Sequence, residues 1–176
     1  MYVPSVPESS RWLGETVGFW IQTLILAVSA GAALWIIKAN TKQERRRATV
    51  DLVMDQKRDV ALRAARSIVT KMHEQQESNL AKYLEDTESE QYKAILLVLN
   101  MHEFVASGIR EGAFDEYIYK RLRYATLIKD WEILCAFVME FRRAHSISSL
   151  FQEFQWLSDR WRKDPLKTDR GIGLSI

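Results

Sequence analysis

Cysteine, proline and glycine are scarce in this sequence of 176 residues. Cys135 is the only cysteine, so neither an intrachain disulfide nor a zinc site made of several cysteines can form. The chain has three prolines and seven glycines, fewer than turn-rich β architectures use. These shortages favour a helical fold, and the lone cysteine agrees with a reducing compartment.

The motifs of the common catalytic classes are also missing. The sequence has no Gly-rich phosphate loop, no G-x-S-x-G nucleophile elbow and no Cys–His pair at a known family spacing. None of its three histidines follows a glutamate by three residues, as the ligands of di-iron bundles do. We therefore predict no catalytic residues, no metal and no cofactor. The formal net charge of +2 is too small to indicate a nucleic-acid partner.

One long apolar run is present near the N-terminus. Residues 16–37 contain no charged side chain, and as a helix they would extend about 33 Å, which exceeds the roughly 30 Å hydrocarbon core of a bilayer. Trp20 and Trp35 lie near its two ends, where indole rings favour the membrane–water boundary. The sequence predicts a transmembrane helix over residues 13–39, after an exterior tail of residues 1–12.

Positive charge is concentrated just after this run. Residues 38–73 carry ten Lys or Arg against four acids, whereas residues 74–176 carry fourteen against seventeen. The positive-inside rule then places the N-terminus outside and the larger C-terminal part in the cytoplasm. A cleaved signal peptide is the alternative, because Ala30-Gly31-Ala32 resembles a cleavage site, but no basic segment precedes it. The basic side chains expected at the lipid headgroups are Lys38, Lys42, Arg45, Arg46 and Arg47.

Small residues recur four apart in and beside the apolar run, a spacing that lets two helices approach closely. They are Gly14, Gly18, Ala27, Ser29, Gly31 and Ala33. We expect the anchor to dock through the face that carries Ala27, Ser29 and Gly31, either to another membrane protein or to a second copy. The alternative is that small residues are simply common in transmembrane helices.

Residues 40–163 repeat apolar side chains at the period of amphipathic helices, and no stretch alternates long enough to form a strand. The sequence therefore predicts an all-α fold, in which one transmembrane helix is followed by a cytoplasmic bundle of about five helices and a flexible tail of residues 164–176. The predicted segments are 45–72, 80–84, 91–110, 115–144 and 149–164, of which 115–144 is either continuous or broken near Lys129-Asp130. The segment 91–110 is apolar nearly all round and should lie at the centre of the core.

Capping signals indicate where several of these helices begin and end. Asp115 should start the fourth segment, and Gly112 should end the third. Capping boxes are expected at Thr87-x-x-Glu90 and Ser149-x-x-Gln152. Thr41-x-x-Glu44 either restarts a helix after the membrane or lies within a transmembrane helix that continues unbroken.

Asn100, Glu103 and Arg110 form the candidate polar site. Asn100 and Glu103 lie one turn apart on the most apolar helix, where a carboxylate is costly unless it is paired. Arg110 is the partner on the same helix, and neighbouring helices offer Arg121, Arg123 and Arg142. The group is either a ligand pocket or a buried polar clip that fixes the helix register. His102 should point to a different, partly exposed face.

Three segments of the sequence also form a recognisable pattern: RRRAT at residues 45–49, LNMHEFVASGIR at Leu99–Arg110, and DWE at residues 130–132. Together they resemble the bacterial membrane family called domain of unknown function 4760, over about residues 20–162. The resemblance implies an N-terminal anchor and a helical cytoplasmic part, and it implies no reaction.

We therefore expect a single-pass protein of the bacterial inner membrane that acts by binding, as an accessory or regulatory subunit of a membrane protein complex. Its partners would be membrane lipid and either a membrane protein or a second copy of itself. The alternative is a self-associating membrane effector or sensor of a bacterial stress or anti-phage system. An enzyme is the third interpretation.

Overall fold

Helices account for most of the residues that the computed structural model describes, which are 11–12, 15–75 and 80–166. The α-helices are α1 Val17–Arg58, α2 Val60–Glu74, α3 Glu90–Arg110, α4 Glu116–His145 and α5 Gln152–Lys163. A 3₁₀ helix, Leu80–Leu84, precedes α3. Before α1, the two-residue strands β1 Arg11–Trp12 and β2 Glu15–Thr16 pair antiparallel. The prediction of an all-α fold, with one long apolar helix followed by a helical bundle, is confirmed.

The long helix α1 differs from the predicted transmembrane segment at both ends. It begins at Val17, not at residue 13, because residues 15–16 belong to β2, and it continues to Arg58 without a break near Asn40. Thr41 Oγ1 donates to the carbonyl of Ile37 at 3.0 Å, a bond inside the helix that leaves the backbone ladder intact. The boundary between two compact units of the chain lies within α1, between Glu44 and Arg45.

The first unit exposes an apolar helix surface. The helical segment Gly18–Arg58 has a mean hydropathy of 1.9 over its most apolar 18 residues, and none of those residues is buried. The segment is long and apolar enough to cross a membrane. Residues 1–10 of the predicted tail and residues 13–14, which include Gly14, lie outside the described residues, as do residues 167–176.

The central position of α3 is confirmed. It contacts α2, α4, α5 and the 3₁₀ helix in the second unit. Its fully buried apolar side chains are Ile95, Val98, Leu99, Val105 and Ala106. The largest side chains fully buried around them are Tyr119, Phe137, Phe154 and Trp161. Leu97 and Phe104 remain exposed, so α3 is apolar on more sides than the bundle covers.

Two of the predicted helix caps are confirmed. Asp115 Oδ1 accepts a hydrogen bond of 3.0 Å from the backbone N–H of Ile118 and so caps α4. Gly112, which follows the last residues of α3, has a φ of +72°, the left-handed conformation that glycine adopts at least cost.

Three helix starts were predicted wrongly. Asp59 divides the segment 45–72 into α1 and α2, because its carboxylate accepts from the backbone N–H of Leu62 at 3.0 Å. Ser89, not Thr87, caps α3 by accepting from Tyr92 N at 3.2 Å. Ser149 does not cap α5. The N-cap position of α5 is Phe151, which has a left-handed backbone conformation and whose side chain makes no capping hydrogen bond.

Candidate functional site

The predicted site of Asn100, Glu103 and Arg110 is not assembled. Asn100 is exposed, because three residues of helix turn it about 60° away from Glu103 and onto the surface. Arg110 does not pair with Glu103; its Nη1 donates to both carboxylate oxygens of Glu153, each at 2.8 Å.

Glu103 instead caps a different helix. Its Oε1 accepts from the backbone N–H of Glu153 at 3.2 Å, and its Oε2 accepts from that of Phe154 at 2.8 Å. The first turn of a helix has N–H groups without internal partners, and its positive dipole end favours a carboxylate. Burial raises the pKa of Glu103, and the two backbone amides oppose that rise. The geometry fits a clip between α3 and α5 better than a ligand pocket.

The C-terminal end of α5 is also held by polar contacts. Glu116 Oε1 accepts from Arg160 Nε at 2.8 Å and from the indole N–H of the buried Trp161 at 3.1 Å. Lys120 Nζ lies 3.0 Å from a carboxylate oxygen of Asp164. Polar contacts from α3 and α4 thus hold α5 at both termini.

The residues predicted at the membrane surface all lie on α1. Lys38, Lys42, Trp20 and Trp35 are exposed in the first unit. Arg46 Nε lies 3.4 Å from Asp115 Oδ2, and the Arg45 guanidinium packs so close to Gly112 that a Cβ there would come within 3.2 Å of it. Arg47 Nε is 3.9 Å from Asp51 Oδ2. Arg45 and Arg46 therefore contact the loop between α3 and α4, and headgroup contact stays a prediction.

The small residues of α1 form two stripes, not one. Ala27 and Gly31 lie on one side of the helix, whereas Ser29 is about 200° from Ala27, near Gly18 and Ala33. The expected common face of Ala27, Ser29 and Gly31 was therefore wrong. A Cβ at Gly31 would meet nothing within 4 Å, so its surroundings within the chain are open.

Sequence reasoning missed a buried polar cluster between α2, α3 and α4. It consists of Arg66 on α2, His102 on α3, and Arg123 and Asp130 on α4. His102 Nε2 lies 2.8 Å from Asp130 Oδ2, and Arg66 Nε lies 3.6 Å from the same oxygen. The expectation of a partly exposed His102 was wrong: the residue is fully buried.

Aromatic and amide side chains surround this cluster. The His102 ring stacks on Phe154 with centroids 4.3 Å apart and an interplanar angle of 11°, and Trp131 packs edge-on against Phe154 at 5.0 Å. The Tyr119 hydroxyl, whose pKa burial raises, donates to Gln56 Oε1 at 3.4 Å. The polar groups therefore lie in a largely apolar setting, where charges interact strongly.

The cluster carries more positive than negative charge. Burial lowers the pKa of His102 despite the opposing effect of Asp130, so at neutral pH the imidazole is uncharged and its Nε2–H donates to Asp130. Burial also lowers the pKa of Arg123, and the charge of Arg66 lowers it further. The cluster thus contains two guanidinium groups and one carboxylate, which pairs with Arg66.

Several nitrogen atoms of the cluster are buried without a hydrogen-bond partner among the described residues. They are Nε and Nη2 of Arg66, Nε and Nη2 of Arg123, and Nδ1 of His102. Buried polar groups are normally paired, and buried charges nearly always are. Among the described residues, the cluster included, no group of three or more His, Cys, Asp or Glu side chains is placed to hold a metal ion.

The spacing of charged residues in α4 indicates the cluster. Arg123 and Asp130 fall on the same stripe of α4 as the buried residues Tyr119, Leu127 and Leu134, at steps of three and four. A charged residue that falls at the helical spacing of the core residues indicates a buried polar site. A charged residue that falls between those positions does not.

One comparison with known proteins finds a match, and it is to a family. The model of a family described as a domain of unknown function, DUF4760, matches residues 23–161, which include α2 to α4 and the whole polar cluster. Comparison with curated proteins and with solved structures finds no match. Because the family model covers most of its length, this chain belongs to the DUF4760 family.

Proposed function

We propose that this protein is a single-pass membrane protein that acts by binding, as an accessory or regulatory subunit of a membrane protein complex. The observation that carries the proposal is the apolar part of α1, of which nothing is buried within the chain. An apolar surface of this size requires lipid or protein to cover it. The basic residues 38–47 support an orientation with the C-terminal bundle in the cytoplasm, at the inner membrane.

The docking face of the anchor is proposed to be the stripe of Ala27 and Gly31. Small residues at this spacing allow a partner helix to approach the backbone, and Gly31 has open space where a side chain would be. The same opening supports a second candidate, in which the partner helix belongs to another copy of the chain and the protein is a self-associating membrane sensor or effector.

One purification separates these functions. The tagged full-length chain is extracted in mild detergent, and its partners are identified and counted by mass spectrometry and sedimentation. An accessory subunit co-purifies with a larger membrane protein in a fixed ratio, whereas a self-associating sensor is recovered as an oligomer of itself. Recovery of the chain alone as a monomer contradicts both.

A pair of variants assigns the face. Gly31→Leu should abolish the association, because the larger side chain holds the partner helix away. Ala33→Leu adds similar bulk on the other stripe and should leave the association intact. A loss with Ala33→Leu alone would place the interface on the stripe of Ser29 and Ala33 instead. Reporter fusions to the C-terminus test the orientation, and a C-terminus outside the cell would refute it.

A further inference from the structure

We infer that the cluster of Arg66 and Arg123 binds a small oxyanion, a carboxylate or phosphate group, between α2 and α4. This inference concerns the bundle alone and does not depend on what the anchor contacts. It starts from the shape of the unpaired donors. In a guanidinium group, Nε–H and one Nη2–H point in the same direction in one plane, and this edge matches the two oxygens of a carboxylate or phosphate.

On both arginines this edge is buried and has no hydrogen-bond partner among the described residues. Nε and Nη2 are the unpartnered atoms of Arg66, and Nε and Nη2 are the unpartnered atoms of Arg123. Asp130 does not satisfy these donors. Its Oδ2 lies 3.6 Å from Arg66 Nε, which is beyond hydrogen-bond distance, and the same oxygen already accepts a hydrogen bond of 2.8 Å from His102. No ion pair joins Arg123 to a carboxylate among the described residues.

The charges also select an anion. With His102 neutral, the two arginines exceed Asp130 by one positive charge, which a bound oxyanion would neutralise. The two arginines act on each other electrostatically, since the charge of Arg66 lowers the pKa of Arg123. Two like charges that repel each other in a partly buried setting do not stabilise a fold, so a role in binding explains why both are there. The Arg66 side chain is 18% exposed, which connects the cluster to the surface.

The same donors suit a free anion and a lipid phosphate, and two arms of one experiment distinguish these sources. The full-length protein in maltoside micelles is titrated with inorganic phosphate or acetate at constant ionic strength, with chloride as the balancing anion. In the second arm, phosphatidic acid is added to the micelles and no free phosphate is present. Thermal unfolding is followed by tryptophan fluorescence, because a ligand that binds only the folded state raises Tm in a saturable way.

We expect a saturable rise in Tm in at least one arm, and the arm identifies the source. Arg123→Met should weaken the apparent affinity by about tenfold or more, as expected when charge-assisted hydrogen bonds are lost. Arg123→Lys keeps the charge but lacks the two-donor edge, so its affinity should fall between those of the wild type and Arg123→Met. Arg121→Met is the matched control, because Arg121 is exposed two residues away and its guanidinium donates to the hydroxyl of Tyr117 on its own helix and lies over that ring.

The variant Arg123→Met should fold. Without added oxyanion its Tm should equal or exceed that of the wild type, since it removes a buried charge that has no partner. The inference is overturned if neither arm gives a saturable rise, or if Arg123→Met binds as tightly as the wild type. It is also overturned if Arg121→Met reduces the rise in Tm as much as Arg123→Met does. The anion would then be attracted by the positive charge of the surface and not bound at one site.

Discussion

Glu103 and Arg123 are charged side chains of the same helical bundle, and they differ in whether their polar atoms have hydrogen-bond partners. Glu103 has two backbone N–H donors at 2.8 and 3.2 Å and serves the start of α5. Arg123 has two buried nitrogen atoms without an acceptor among the described residues. The hydrogen bonds of Glu103 are complete within the chain, whereas those of Arg123 are not. The completed network of Glu103 accounts for part of the fold, and the incomplete one of Arg123 is the basis of the oxyanion site that we infer.

The difference can be tested by removing the one acid that the cluster contains. Asp130→Ala leaves Arg66 and Arg123 with no buried carboxylate and takes the hydrogen-bond partner from His102. Breaking a buried charge pair in this way typically costs about 3–5 kcal/mol. The free energy of unfolding, from urea titration of the full-length protein in micelles with tryptophan fluorescence, should fall by about that amount.

Glu132→Ala is the control for this substitution. Glu132 is exposed and pairs with Arg162 at 3.3 Å on the surface, where ion pairs contribute little. A loss in Asp130→Ala no larger than that in Glu132→Ala would mean that the cluster is open to water in solution. The contrast with Glu103 would then disappear.

Glu103→Gln tests the completed network and should have the next largest effect. The substitution replaces one acceptor oxygen by an NH₂ group, so one N–H of the first turn of α5 loses its acceptor. The expected loss is about 1–3 kcal/mol of unfolding free energy in the same urea titration. Glu111→Gln, at an exposed position next to the end of α3, should change it little. Equal stability of Glu103→Gln and the wild type would show that Glu103 does not cap α5.

The cap by Glu103 also shows where sequence reasoning succeeded and where it did not. The helices were predictable from their apolar period, and the caps at Asp115 and Gly112 from local chemistry. The start of α5 was not, because its cap comes from residue 103, some fifty positions earlier in the chain. Ser149 matched a local pattern, but the tertiary contact took its place.

The polar cluster was missed for a related reason. The apolar period of residues 115–144, with charged residues expected at the surface, predicts that Tyr117 and Leu122 lie on the buried face of α4. They are 64% and 51% exposed, while Tyr119 and Asp130 are buried. His102 has Leu99 three residues before it and Val105 three residues after it, both fully buried. Its position in the core was therefore visible in the spacing, but its partner Asp130 on α4 was not.

The smallest expected effect is a pH dependence that comes from His102. Burial lowers the pKa of His102 below its ordinary value of 6.5, so the unfolded chain binds a proton there more readily than the folded one does. The contribution to stability is therefore complete above pH 6.5 and is lost as the pH falls below 6.5 toward the lower pKa of the folded state. The largest possible slope is about 1.4 kcal/mol per pH unit.

His102→Gln removes this titration while an amide N–H remains available to Asp130. Between pH 7.5 and pH 5.5, the wild type should lose about 1 kcal/mol more unfolding free energy than His102→Gln. Glu103 has a raised pKa and acts in the opposite direction, because its contribution is lost as the pH rises through that pKa. It is present in both proteins, so it cancels in their difference. His73→Gln, at an exposed position on α2, should follow the wild type. If the unfolding free energy of His102→Gln changes with pH as that of the wild type does, folding does not lower the pKa of His102. The cluster would then be accessible to water.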